Sequence, residues 1–227
     1  MVNCEPFFNL VSIEEAEKSA AEAYIRLRGL HEHIAMASYL QGFLQRGKPT
    51  YKEVATAFRY DKRIRRIVYK YVGLIEEYFR AYLYNTFSSL QAKVEDEYAF
   101  DSSYISRILF SQLIDRVWTL DDRYKNELFG NENVLRKNLD ALVQLRNAIS
   151  HNRTLITYDA FSEVTLSDGR VGNSLLLNLC NLYSLLPHEI AISFKREINT
   201  ARNQGRKKRD NQVRWELPSF LIIKISG

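Results

Sequence analysis

The segment Leu145-Arg146-Asn147-Ala148-Ile149-Ser150-His151-Asn152-Arg153 gathers a guanidinium, a carboxamide and an imidazole in one short stretch. An imidazole has an unperturbed pKa of about 6.5, so it can take or give a proton near neutral pH. A guanidinium is always charged, and its planar fork fits phosphate oxygens. Together His151 and Arg146 could move a proton at a phosphate and hold the negative charge that develops there.

The element that must position them is a helix after Asn131-Glu132-Asn133. On it Leu135, Leu139, Leu142, Val143, Arg146 and Ser150 share one face. Arg146 therefore interrupts an apolar stripe. A charge on a face destined for burial is costly unless something compensates it, and such breaks in pattern tend to mark function. Asn147 and His151 stand at i and i+4, on one side of the helix. Arg146 and His151 are five apart, roughly 140° around the axis. Meeting at one phosphate requires a helix end, a distortion or a second copy of the chain. A structural alternative stays open: an Arg–carboxylate pair, plus a His that merely sits at the helix terminus near the dipole.

The rest of the chain reads as helices. Nine Gly and four Pro in 227 residues are few, which favours helices over a sandwich or barrel. Ser12 with Glu15 and Thr50 with Glu53 have capping-box spacing, with a further helix at about 32–46. From Tyr60 to Phe87 the residues Ile64, Ile67, Val68, Tyr71, Ile75, Phe79, Leu83 and Phe87 predict a long amphipathic helix. Its opposite face is basic near the start, at Lys62, Arg63, Arg66 and Lys70. Shorter helices are expected within 98–124. Thr154–Asn173 is β-rich around Ser167-Asp168-Gly169, which predicts a small hairpin. Ser174–Thr200 returns to helix with a break at Pro187, and Ser219–Ile225 alternates weakly, as a terminal strand would. The expected fold class is mostly α, a helical bundle with a small β-hairpin after the Arg146–His151 helix.

Three segments carry a family resemblance. The spacing Arg146-x4-His151 resembles the Arg-x4–6-His motif of HEPN-domain ribonucleases. Tyr60-Asp61-Lys62-Arg63-Ile64-Arg65-Arg66 looks like the "fD.klR" helix start of the Abi-like branch, the abortive-infection proteins. Ile75-Glu76-Glu77-Tyr78-Phe79-Arg80 is similar to that branch's "iE...R" helix centre, and His151-Asn152-Arg153 to its "HhnR" end. Asn152 stands where the family often has a second His. The resemblance runs from about Tyr60 to Arg153, and the first 50 residues match less well.

The resemblance implies a HEPN-like bundle, a single domain over 1–227 with its motif-bearing core at about 60–153. It implies a metal-independent endoribonuclease that works as a homodimer, in phage defence or as a toxin with a protein or RNA antitoxin. RNA cleavage without a metal needs a base for the 2′-hydroxyl proton, an acid for the leaving 5′-oxygen and positive charge on the phosphorane. Arg146, Asn147 and His151 are the catalytic candidates. Glu76 and Arg80 are either residues that orient Arg146 or His151, or an exposed i, i+4 ion pair. The rival function is an Abi-like helical dimer that binds RNA or a protein partner without cleaving.

Charge adds a second expectation. Net charge is +5, and the segment 202–214 holds six cations against Asp210, which is the whole excess. We expect a flexible basic loop there. Its Arg206, Lys207, Lys208 and Arg209, with Arg153, are RNA-binding candidates giving salt-sensitive, sequence-blind affinity. Several classes are disfavoured. Cys4 and Cys180 have no disulfide or zinc spacing. Glycine-rich phosphate loops and Gly-x-Ser-x-Gly are absent from the sequence. His31-Glu32-His33 reads as a surface turn, so neither metal nor cofactor is expected. The stretch 174–186 is too short to span a bilayer, and the N-terminus lacks a basic-then-apolar leader pattern. The expected setting is the cytoplasm, off the membrane.

Overall fold

A computed structural model describes residues 2–44, 47–87, 102–130, 134–159, 161–203 and 217–226. Among them the helices are α1 (Glu5–Phe8), α2 (Glu15–Arg28), α3 (Leu30–Phe43), α4 (Tyr51–Phe87), α5 (Ser102–Arg107) and α6 (Phe110–Trp118). Next come α7 (Asp122–Phe129) and α8 (Arg136–Ser150), then the strands β1 (Val164–Thr165) and β2 (Val171–Gly172), then α9 (Leu175–Leu185) and α10 (His188–Thr200). The fold is mostly α with one small antiparallel hairpin after α8, in which Val164 faces Gly172 and Thr165 faces Val171. Gly169 closes the turn at φ 85°, a conformation that suits glycine.

Thr50 and Glu53 form the reciprocal cap that their spacing predicts. Glu53 Oε2 accepts from the Thr50 N–H at 2.8 Å, and Thr50 Oγ1 accepts from the Glu53 N–H at 3.2 Å. That cap opens α4, which runs unbroken for 37 residues. Ile64, Ile67, Val68, Tyr71, Ile75, Phe79 and Leu83 are buried along it. Each such side chain contributes roughly 1.5–3 kcal/mol relative to exposure.

The chain divides into two compact units: residues 1–66, 153–158 and 196–227, and residues 67–152 and 159–195. The expected core at 60–153 thus contributes to both. In the first, His33 packs between Phe7 and Phe58, at ring separations of 5.4 and 4.7 Å. Asp61, fully buried, accepts from the Ile156 N–H at 3.1 Å. In the second, Tyr71 meets Phe194 and Phe79 meets Phe129. Asn138 and Asn181 tie α8 to α9.

Three local expectations are corrected. Ser12 does not cap α2. Its N–H donates to Pro49 O and its carbonyl accepts from the Tyr51 N–H, so α2 begins later, with Glu14 at the N-cap. His31-Glu32-His33 is no surface turn but the first turn of α3, with His33 Nδ1 donating to Gly29 O at 2.9 Å. Residues 219–225 form no strand: Ser219–Leu221 is a 3-10 turn. Beyond it Tyr60 Oη accepts from the Ile223 N–H, and Asn199 Oδ1 accepts from the Ile225 N–H.

Candidate functional site

Within the second unit, the later half of α4 and the end of α8 border an open groove of about 420 Å³. Tyr69, Gly73, Glu76 and Glu77 line it from α4, and Arg146 and Ser150 from α8. The α4 residues recur at three- and four-residue steps, and Arg146 and Ser150 are one turn apart, so each wall is one helix face. Leu139, Leu142 and Leu145 bury the inner side of α8. Arg146 lies at the edge of that stripe, half-buried. Among the described residues Arg146 has no hydrogen-bond or ion-pair partner. Among these residues, then, Arg146 forms no Arg–carboxylate pair.

His151 is the C-cap of α8 (φ −88°, ψ 11°), and its N–H donates to Asn147 O at 2.9 Å. Asn152 follows at φ 55°, the left-handed conformation that ends helices and that asparagine tolerates best after glycine. The helical path thus persists through His151. Within one chain, Arg146 and His151 leave the axis roughly 140° apart. Both Asn147 and His151 are exposed. The motif presents its imidazole and its guanidinium on different sides of one helix end.

Glu76 and Arg80 divide their tasks. Glu76 borders the groove with Arg146, and its Oε1 accepts from Arg80 Nη2 at 2.7 Å. Arg80 itself turns toward the end of α5, donating to Ile105 O and, at 2.9 Å, to Ile108 O. The pair is partly buried rather than the exposed ion pair of the simpler reading. In the first unit, Arg153 is exposed and its carbonyl accepts from Arg65 Nη1 at 3.3 Å. Arg206, Lys207, Lys208 and Arg209 lie outside the described residues, as does 204–214 of the expected basic loop.

The chain matches no protein-family model, no curated protein and no solved structure. Among the described residues no helix is long and apolar enough to cross a membrane. Cys4 and Cys180 are buried, and burial pushes both thiols up, which makes them poor nucleophiles.

Sequence reasoning missed Tyr69, Gly73 and Glu77. One signal was available. Gly73 sits inside a strongly periodic helix, where glycine is unfavourable and so asks for a reason. An added Cβ at Gly73 would meet nothing within 4 Å, which shows that the position opens on free space.

Proposed function

We infer that this chain is a metal-independent endoribonuclease of the Abi-like HEPN kind. The observation that supports the reading is Arg146, a half-buried guanidinium without a partner among the described residues, on the same helix end as an exposed His151. In the proposed reaction the 2′-hydroxyl of RNA loses its proton to a base and attacks the adjacent phosphorus. The 5′-oxygen leaves with a proton from an acid, and a 2′,3′-cyclic phosphate remains. His151 serves as base or acid, and Arg146 binds the phosphate and the charge that builds on it. Asn147, exposed on the His151 side, orients the imidazole or the phosphate. Because the two side chains of one chain diverge, the working site pairs Arg146 of one copy with His151 of another, which makes the active species a homodimer. The setting that the resemblance implies is phage defence, or a toxin restrained by an antitoxin of protein or RNA, in the cytoplasm.

The test is cleavage of total RNA by purified protein with a chelator present, followed by analysis of the ends. Wild type leaves cyclic phosphates, whereas His151→Ala and Arg146→Ala fold normally and leave none. Cleavage that survives His151→Ala overturns the proposal.

The divergence of Arg146 and His151 favours a second reading, a helical module that binds RNA or a protein partner without cleaving. It predicts salt-sensitive RNA retention and no new cyclic-phosphate ends.

A further inference from the structure

We propose that the groove between α4 and α8 is a guanine-nucleotide site, which takes one nucleotide of the RNA strand. The inference rests on the reading of the protein as RNA-acting and adds to it a base preference.

The size of the groove, about 420 Å³, suits one nucleotide rather than a folded RNA. Gly73 leaves a strip of bare backbone along the α4 wall, with nothing within 4 Å of where a Cβ would stand. A planar base can lie against such a strip. One turn before it is Tyr69, 66% exposed although it is a large aromatic side chain. Its exposed ring is a surface on which a base can stack. One turn after Gly73 is Glu77, exposed and without a hydrogen-bond partner among the described residues. Its neighbour Glu76 is already bonded to Arg80, so Glu77 is the open carboxylate of this wall.

A carboxylate only accepts hydrogen bonds. Among the four RNA bases, guanine alone offers two adjacent donors, N1–H and N2–H, on its Watson–Crick edge. Adenine and cytosine each pair one donor with an acceptor there, and uracil flanks its single N–H with two carbonyls. Those acceptors would face the carboxylate and be repelled. On the α8 wall, Arg146 supplies the charge for the phosphate, and the Ser150 hydroxyl one turn on can bond the phosphate or ribose.

The experiment is equilibrium dialysis of full-length protein against GMP, AMP, CMP and UMP at low salt with chelator. GMP should bind at least about tenfold more tightly than the others, the scale of a charge-assisted pair of hydrogen bonds. Glu77→Gln should remove most of that preference. Gly73→Leu should abolish binding of all four, with the circular dichroism unchanged. If Gly73→Leu fails to fold, Tyr69→Ala, at an exposed position, should weaken all four about tenfold. Equal affinities for the four nucleotides, or GMP binding that survives both groove variants, would overturn the proposal. GMP preference without cyclic-phosphate ends upholds the groove and sinks only the nuclease reading. RNA cleavage by a protein without base preference in dialysis does the reverse.

Discussion

Asn138 and Asn181 hold each other. Asn138 Nδ2 donates to Asn181 Oδ1 at 2.8 Å, and Asn181 Nδ2 donates back to the Asn138 carbonyl at 2.8 Å. Asn138 Nδ2 also reaches Thr165 O at 2.8 Å, so α8, α9 and β1 meet at one buried polar pair. This junction fixes the helix that ends in Arg146 and His151. Replacing Asn138 or Asn181 with Leu strands the remaining polar groups away from water and should cost about 2–4 kcal/mol by urea unfolding. The double variant should cost clearly less than the sum of the singles, because each single already breaks the shared bonds.

Gly73 should respond in the opposite direction. It is helical, mid-element, and open where a Cβ would go. Gly73→Ala should stabilise the protein by roughly 0.5–1 kcal/mol, through helix propensity and a less disordered unfolded chain. Thermal unfolding would register this as a higher midpoint. A lower midpoint would mean that the groove is closed in solution.

What the sequence made legible was local. The Thr50–Glu53 cap, the stripe from Ile64 to Leu83 and the Ser167-Asp168-Gly169 turn are each set within a few residues, and each forms. Ser12–Glu15 has the same spacing as Thr50–Glu53. It fails because Pro49 and Tyr51, distant in sequence, engage the Ser12 backbone. Ser219–Ile225 alternates like a strand but is met by the side chains of Tyr60 and Asn199 in place of a partner strand. Asn181 reads as a flaw in an apolar run and is in fact a satisfied core residue. Arg146 could be picked out because it breaks its own helix's pattern. The groove could not, because its walls come from two helices about seventy residues apart in sequence, and one wall is opened by a side chain that Gly73 lacks.

His33 makes stability depend on pH. Burial among Phe7 and Phe58 lowers its pKa from the usual value. Arg28 lowers it further, whereas the bond to Gly29 O and the charge on Glu32 partly offset the shift. Below about pH 6.5 the unfolded chain takes a proton that the folded imidazole resists. This contribution is intact above that pH and is lost as pH falls toward the folded value, by up to about 1.4 kcal/mol per unit. His33→Gln should flatten the slope between pH 6.5 and 5 in urea titrations. An unchanged slope would place the titrating group elsewhere.

Arg80 should act on α5. Its guanidinium donates to Ile105 O and Ile108 O, which the end of a short helix otherwise leaves open, while Glu76 holds it in place. Lysine carries the charge but not the fork. Arg80→Lys should therefore speed amide hydrogen exchange across Ser102–Ile108 while leaving α8 protected. Equal exchange in both proteins would show that the clamp contributes little.

The divergence of Arg146 and His151 leads to a test of whether the working site is shared. If each site joins Arg146 of one copy to His151 of the other, the Arg146→Ala and His151→Ala proteins are both inactive alone. Mixed and allowed to exchange subunits, half their dimers combine one chain of each kind. Such a dimer holds one site with both groups and one with neither. The mixture should therefore regain about one quarter of wild-type RNA cleavage, following the two-fold arithmetic of an isologous dimer. A mixture as inactive as its components would mean that each site draws both groups from a single chain. The end of α8 would then have to distort to bring them together.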